Sequence, residues 1–385
     1  MSMPCSREPY ARSPDLAIFA ATSGHSGVDR VVQKLVWSLA QRGLTIHVLK
    51  IRDHGPYLNQ LPSGCHVIDF SSRHVETSLP SLMRYLRRAR PRALLTDKDA
   101  VNRLAILARG LARVDIRLVV RLGTTVSSNI AHKRAWAAAI QVLSIRWLYR
   151  LADARVVPSR GAASDLARLM RVDDRDVTVL PNPVVDEALD RAAQQPIDEP
   201  WLGDGWDRPV IVAVGSLTAR KDYATLLRAF ARLRRDQPCR LILVGRGRCQ
   251  SSLAAQARAL GIDDDVRMTG FIANPYPYIQ GADVFAHTAR WEGLGIVLVE
   301  ALALGTPVVA TDCPSGPAEI LKAGSLGRLV PVADDEALAA ALRESLREPV
   351  DRRALRLGVD EYRTEASAAA YARVLGLTKA TDVDR

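Results

Sequence analysis

Two carboxylates, Glu292 and Glu300, flank seven residues in the stretch R-W-E-G-L-G-I-V-L-V-E-A. Gly293 and Gly295 let the backbone come close to a ligand, and the apolar run after them reads as the first turns of a helix. The N–H groups of Gly293, Leu294, Gly295 and Ile296 at that helix start are suited to hold a phosphate. Glu300 falls about two turns further on, within reach of the far end of the same ligand. A phosphate at one end and hydroxyls for the acids describe a nucleotide sugar. The plainer alternative is a strand–turn–helix junction with two solvated glutamates, because short motifs match often by chance.

A second pair of candidates follows a strand that ends at Gly215. Arg220 and Lys221 stand just before a helix with the apolar stripe Tyr223, Leu226, Leu227 and Phe230. Cations at a helix N-terminus oppose the helix dipole, at about 0.3–1 kcal/mol each. An anion bound between them reverses that penalty. The pair therefore reads as a clamp for a pyrophosphate, stabilising the charge that grows on a departing nucleotide; the alternative is a solvated basic loop. A third candidate is G-H-S-G-V-D-R, from Gly24 to Arg30. Gly27 at a helix start would bring amides to the donor phosphate, and His25 would reach the acceptor if it is not simply solvated.

The elements that must position these residues alternate between strand and helix. Apolar runs such as D-L-A-I-F-A-A-T-S, L-T-I-H-V-L-K and A-L-L-T are separated by helical periodicity, the βαβ rhythm of a doubly wound parallel sheet. A Pro-, Gly- and acid-rich stretch breaks the rhythm, which restarts at P-V-I-V-A-V-G. The chain thus divides into a disordered extension over 1–13, an N-terminal Rossmann-like acceptor domain over 14–186 and a linker over 187–208. A C-terminal Rossmann-like donor domain follows over 209–361, and then 362–385. Two such sheets in series would face each other across a cleft, with ligands outside the carboxyl ends of the strands.

Composition is that of an ordinary globular protein: 385 residues, 48% hydrophobic and 25% charged. The five cysteines are scattered and odd in number, which fits reduced thiols and a cytosolic setting, not a disulfide frame or zinc site. The first residues lack the apolar core of a secretion signal. The longest apolar run, Ala135 to Ile145, is too short to cross a bilayer. Its stripe of Trp136, Ile140, Leu143 and Trp147 reads as core packing, with a membrane-facing surface as the alternative. The net charge of +11 is concentrated in residues 1–200, which hold 29 Lys and Arg against 19 Asp and Glu. Arg84, Arg87, Arg88, Arg90 and Arg92 form the densest cluster. It would suit an anionic membrane face, an anionic acceptor or, the weakest of the three, nucleic acid, or it is a solvated helix face. No nucleic-acid-binding module is visible.

Together these residues resemble retaining glycosyltransferase family 4, with the GT-B fold, over roughly Leu16 to Tyr371. The resemblance rests on E-G-x-G-x-x-x-x-E from Glu292 to Glu300, V-G-S-L-T-A-R-K-D-Y, V-L-P-N-P from Val179 to Pro183, A-L-A-L-G-T-P-V-V-A-T-D, and the first glycine loop G-V-D-R-V-V. It implies that Glu292 lies beside the donor sugar, Glu300 holds the ribose hydroxyls, and Lys221 binds the diphosphate. It places the donor base near Gly270, Phe271 and Ile272. It also implies retention of anomeric configuration, no metal, no cofactor beyond the donor, no covalent carboxylate nucleophile, and a tail helix that returns to the N-terminal domain. The family context favours a UDP-sugar donor, a glycan or lipid-linked acceptor, surface-polysaccharide or lipopolysaccharide assembly, and peripheral attachment at the inner membrane face. Two positions depart from the family. Ser216 stands where many members carry Arg, leaving that charge to Arg220. The chain reads R-L-G-T-T where many members carry a His on the acceptor side.

Two further motifs compete with this reading. Asp97-Lys98-Asp99 looks like the D-x-D of metal-dependent transferases, and is taken as a cleft-facing loop near the acceptor. Gly245-Arg246-Gly247 resembles a dinucleotide fingerprint, but Gln250 stands at its third glycine position. The competing functions are a nucleotide-sugar epimerase or phosphorylase of the same fold, a non-catalytic nucleotide-sugar-binding scaffold, and a dinucleotide-dependent oxidoreductase.

Overall fold

The structure, a computed structural model, describes residues 13–22, 27–52, 55, 61–131, 133–203 and 206–378. These form two compact units, one built from residues up to Pro183 together with those from Thr364 onward, the other spanning Val184–Arg363.

The first unit holds seven strands: β1 (Leu16–Ala20), β2 (Ile46–Lys50), β3 (Cys65–Asp69), β4 (Ala93–Asp97), β5 (Arg117–Arg121), β6 (Ala154–Val157) and β7 (Thr178–Val179). They lie in the order β3-β2-β1-β4-β5-β6-β7, every pair parallel. All five residues of β1 are buried, as a parallel strand covered on both faces requires. Helices Leu79–Ala89, Asp99–Ala112, Ala135–Leu148 and Arg160–Met170 share one core with Phe19, Leu94, Leu118 and Val120. Helix Thr364–Val374 belongs to this unit and packs on helix Gly27–Gln41. Two arginines of β5 fix it. Arg121 Nε donates to Tyr371 Oη at 2.9 Å, and Arg117 Nε donates to the Val374 carbonyl at 2.6 Å.

The second unit holds β8 (Val210–Val214), β9 (Arg240–Val244), β10 (Val266–Gly270), β11 (Val284–His287), β12 (Val308–Thr311) and β13 (Arg328–Val330). Their order is β10-β9-β8-β11-β12-β13, again all parallel. The strand order reverses between β8 and β11, just as it reverses between β1 and β4 in the first unit. In such sheets the crevice for a ligand opens at that reversal, beyond the strand ends. The loops leaving β8 and β11 are the ones that carry Arg220, Lys221 and Glu292.

Two expectations from the sequence need correction. Residues 187–208 are not a bare linker: helix Glu187–Ala193 and the turn Pro200–Leu202 place Leu189, Ala193 and Trp201 in the core of the second unit. Acidic residues cap both, with Asp186 accepting from Leu189 N and Glu199 from Trp201 N, and Pro200 takes the first position of its turn. The stripe on helix Ala135–Leu148 is not core. Trp136, Ile140, Leu143 and Trp147 are 65%, 58%, 54% and 62% exposed, while Gln141 and Ile145 on the opposite side are buried. Periodicity identified one face of the helix but could not tell which way it turns.

Candidate active site

The candidate site of the second unit is assembled from the ends of β8 and β11. After β8, Gly215 adopts φ +152, and a Cβ there would lie 2.9 Å from Tyr223 Oη and 3.1 Å from Lys221 Cε. Only a glycine leaves room for the Lys221 chain to fold back over the strand end. Asp222, itself left-handed at φ +48, starts helix Tyr223–Asp236. Its carboxylate accepts from Thr225 Oγ1 at 2.9 Å and from Arg290 Nε at 3.1 Å. Two further bonds join the loops: Thr288 Oγ1 donates to the Lys221 carbonyl at 2.8 Å, and Arg290 N to the Arg220 carbonyl at 2.8 Å. The predicted stripe of Tyr223, Leu226, Leu227 and Phe230 is buried and anchors the helix beneath.

Stitched together in this way, the loops bring two cations onto one carboxylate. Lys221 Nζ lies 2.6 Å from Glu292 Oε1 and Arg220 Nη1 lies 2.8 Å from Glu292 Oε2. The anion that two cations at a helix start demand is thus supplied by the protein itself. His287, the last residue of β11, completes the cluster, its Nε2 3.4 Å from Glu292 Oε1 and 3.3 Å from Lys221 Nζ. Burial alone would raise the Glu292 carboxyl. The charge of Lys221, the His287 hydrogen bond and the charge of Arg220 outweigh it and hold Glu292 well below the usual carboxylate range. Burial, reinforced by the Lys221 charge, pushes His287 below its ordinary value, so its ring stays neutral. Beside them, burial and then the Glu292 charge push the Cys313 thiol up to about 12.

The glycine loop after Glu292 leads into helix Ile296–Ala303, with Gly295 at its N-cap in the left-handed conformation, φ +87. Gly316 packs against this loop so closely that a Cβ would sit 2.1 Å from the Leu294 carbonyl oxygen, and Ser315 Oγ donates to the Gly293 carbonyl at 2.9 Å. In the first turn of this helix the Leu298 N–H donates to the Gly295 carbonyl at 2.8 Å, whereas the N–H of Ile296, at the first position, has no carbonyl within the helix to bond. On the same helix Glu300 is buried and accepts from Tyr276 Oη at 3.1 Å. Tyr276 follows the segment after β10, where Phe271 is exposed and lies under the Arg246 guanidinium at 5.3 Å; Ile272 packs on the core edge. Sequence reasoning missed His287, Thr288, Tyr276 and the Asp222–Arg290 pair. Only the position of His287 at a predicted strand end hinted at its place.

The remaining candidates divide. Gly27 opens helix Gly27–Gln41 beyond the end of β1; His25 lies outside the described residues. Asp97 is not in a loop. It is the last residue of β4, buried and ion-paired with Arg121, which also donates to Asn182 Oδ1 at 2.6 Å. Asp99 starts the next helix and accepts from Tyr149 Oη at 2.9 Å, Gln141 Nε2 at 2.8 Å and Arg103 Nε at 3.1 Å. Both carboxylates of the D-x-D are therefore held by the protein, Asp97 bracing the sheet. The G-R-G triplet likewise has a packing explanation. A Cβ at Gly245 would lie 1.9 Å from the Gly215 carbonyl oxygen, and one at Gly247 2.2 Å from that of Leu217.

Two family models match, in order along the chain. Glycosyltransferase Family 4 covers residues 25–188, and Glycosyl transferases group 1 covers residues 202–362. The chain is 28% identical, over 92% of its own length and 95% of the relative's, to the N-acetylgalactosamine-N,N'-diacetylbacillosaminyl-diphospho-undecaprenol 4-alpha-N-acetylgalactosaminyltransferase of Campylobacter jejuni. It is 33% identical to the lipopolysaccharide core biosynthesis glycosyltransferase LpsE of Rhizobium meliloti, over 46% of this chain and 53% of that protein. In fold it is similar to the lipopolysaccharide outer core galactosyltransferase WaaB, with a TM-score of 0.73 at 16% identity, covering 94% of this chain and 99% of that one. HepE of Anabaena, solved with UDP and glucose, gives 0.72 at 17% identity, covering 94% and 100%. With both halves matched in this order on two all-parallel sheets, the chain belongs to the GT-B glycosyltransferases of the family 4 type.

Proposed function

We propose that this glycosyltransferase moves a sugar from a nucleotide-sugar donor, with UDP as the nucleotide, to a glycan or lipid-linked acceptor of surface-polysaccharide assembly, retaining the anomeric configuration without a metal. One observation carries the reading: Lys221 and Arg220 converge on Glu292 at the strand-order reversal, directly before a glycine-capped helix N-terminus. A donor pyrophosphate draws both cations and the first-turn amides of helix Ile296–Ala303 to itself. That frees the oxygens of Glu292, held ionised, to accept hydrogen bonds from the sugar hydroxyls. The ribose hydroxyls go to Glu300, and the base lies over Phe271 and Ile272. In the reaction the bond from the anomeric carbon to the phosphate oxygen breaks. The acceptor oxygen bonds to the same carbon on the same face, and its proton passes to the departing phosphate. Lys221 and Arg220 stabilise the charge on that phosphate as it leaves. The C. jejuni relative, named for transfer onto a diphospho-undecaprenol-linked sugar, supports a lipid-linked acceptor, and HepE with bound UDP supports that nucleotide.

The test is a screen of UDP-sugars by thermal shift, followed by UDP release with and without undecaprenol-diphosphate-linked saccharides. Acceptor-dependent UDP release, reduced at least about 100-fold in Lys221→Ala, is expected. Sugar isomerisation without an acceptor would turn the assignment to an epimerase, and turnover in Lys221→Ala within twofold of the parent would remove the clamp.

A further inference from the structure

Glu292 has a third partner, and that one is built differently from the two cations. Lys221 Nζ reaches Oε1 at 2.6 Å and Arg220 Nη1 reaches Oε2 at 2.8 Å. Both sit at the tips of long side chains on the short turn Ala219–Lys221 that follows β8. A diphosphate that draws them to itself takes both donors from the carboxylate. Glu292 is 7% exposed, so it would then lose the two charges that answer its own in a buried setting.

His287 cannot follow the diphosphate in that way. It ends β11, a strand flanked by β8 and β12, and its backbone is in register with Ala310 of β12. Its side chain is short and 2% exposed, with Nε2 3.4 Å from Glu292 Oε1 and 3.3 Å from Lys221 Nζ. Burial and the Lys221 charge keep the ring uncharged. A diphosphate therefore attracts it far less than it attracts Lys221 and Arg220.

The surroundings also decide which ring nitrogen carries the proton. Nδ1 is buried and has no hydrogen-bond partner among the described residues. With the proton there, Nε2 would accept from Lys221, but the Nδ1 N–H would be a buried donor with nothing to donate to. With the proton on Nε2, the ring donates to an ionised oxygen, which makes the stronger bond. Lys221 and His287 then aim at the same oxygen, the ammonium close and the imidazole at longer range.

We propose that His287 is a positioning residue for the transfer reaction: its Nε2–H holds Glu292 Oε1 when the donor diphosphate draws Lys221 away, leaving Oε2, vacated by Arg220, to the sugar. The inference rests on the donor reading of this site and adds the residue that keeps Glu292 in place once its cations are engaged elsewhere. His287 acts through Glu292 and touches no substrate. Its effect falls on the donor complex, and therefore on kcat more than on donor affinity.

The experiment pairs two variants of the full chain. His287→Leu fills the space without a donor, whereas His287→Gln returns an N–H at about the reach of Nε2. In acceptor-dependent UDP release, His287→Leu is expected to lower kcat at least about tenfold, with KM for the donor within about threefold of the parent. His287→Gln is expected to recover most of that loss. A residue that served packing alone would be replaced better by Leu than by Gln. If His287→Leu fails to fold, the comparison passes to His287→Gln against His287→Asn, whose amide is one methylene shorter and stops short of Oε1. Nitrogen-15 imidazole spectra read the tautomer, with the His287 signals among the seven histidines identified by their loss in His287→Gln. A protonated Nε2 and a bare Nδ1 are expected before and after UDP is added, with the Nε2 proton shifting on addition. The proposal is overturned if His287→Leu turns over within about twofold of the parent, if His287→Gln does no better than His287→Leu, or if the proton sits on Nδ1. In those cases the parent still binds UDP and transfers sugar, so the donor reading stands. A parent whose melting temperature and spectra ignore UDP removes the donor reading, and this role of His287 falls with it.

Discussion

Lys221 and Glu292 are 71 residues apart in the chain and 2.6 Å apart in space, both almost fully buried. Neither charge is tolerated in that setting alone, so each makes the other possible. Their meeting also depends on β8 and β11 being sheet neighbours although β9 and β10 intervene in sequence. Replacing Lys221 with Met leaves Glu292 dependent on Arg220, a residue one-third exposed. Urea unfolding of Lys221→Met is expected to show a loss of about 3–5 kcal/mol. Adding Glu292→Gln recovers part of it, and a simple sum of the two single effects would contradict the pairing.

Glu300 makes its contact with Tyr276 at the other end of the same helix. If it holds the ribose, Glu300→Ala removes a charged hydrogen bond worth about 1.5–3 kcal/mol, raising KM for the donor roughly 10- to 100-fold. Steady-state kinetics checks this, with kcat expected to change far less than KM. Tyr276→Phe should produce a smaller effect in the same direction.

Glycines supply a contrast free of chemistry. Gly247→Ala drives a methyl to 2.2 Å from the Leu217 carbonyl oxygen, whereas Gly110 in helix Asp99–Ala112 has nothing within 4 Å of the new Cβ. Thermal melts should show Gly247→Ala destabilised by about 2–3 kcal/mol. Gly110→Ala should be stabilised by up to about 1 kcal/mol through helix propensity.

Acid should unfold this protein early. Burial, and then the neighbouring His66, lower His47 from 6.5 to about 4. Its ring nitrogen Nδ1 meets Tyr85 Oη at 3.0 Å in a buried setting. The unfolded chain takes up this proton first, so the stability held above pH 6.5 is lost as pH falls toward 4. The His47 contribution amounts to about 2 kcal/mol between pH 7 and 5. His287 is lowered too, so its contribution also begins to fall once the pH drops below 6.5, while Glu292, also lowered, adds its loss below its ordinary value of 4.5. Urea titrations from pH 7 to 5 should show the decline, and His47→Gln should flatten it.

Much of this could be read from residue order. The alternation of apolar runs and helical periodicity fixes two parallel α/β sheets, because a strand buried on both faces must be apolar throughout, as β1 and β8 are. The spacing of Glu292, Gly293, Gly295 and Glu300 identifies a loop entering a helix, and Arg220-Lys221 before an apolar stripe announces an anion. Those are local properties, set by what each residue can do with its neighbours in the chain.

Only the tertiary structure decided which anion answers those cations, because the identity of Glu292 as their partner depends on strand order, a long-range property. The same holds for His287 against Lys221 and for Asp97 as the counter-ion of Arg121. It also decided the direction of the Trp136 stripe. Periodicity places four side chains on one side of a helix, but whether that side meets the sheet or the solvent depends on how the whole helix is docked.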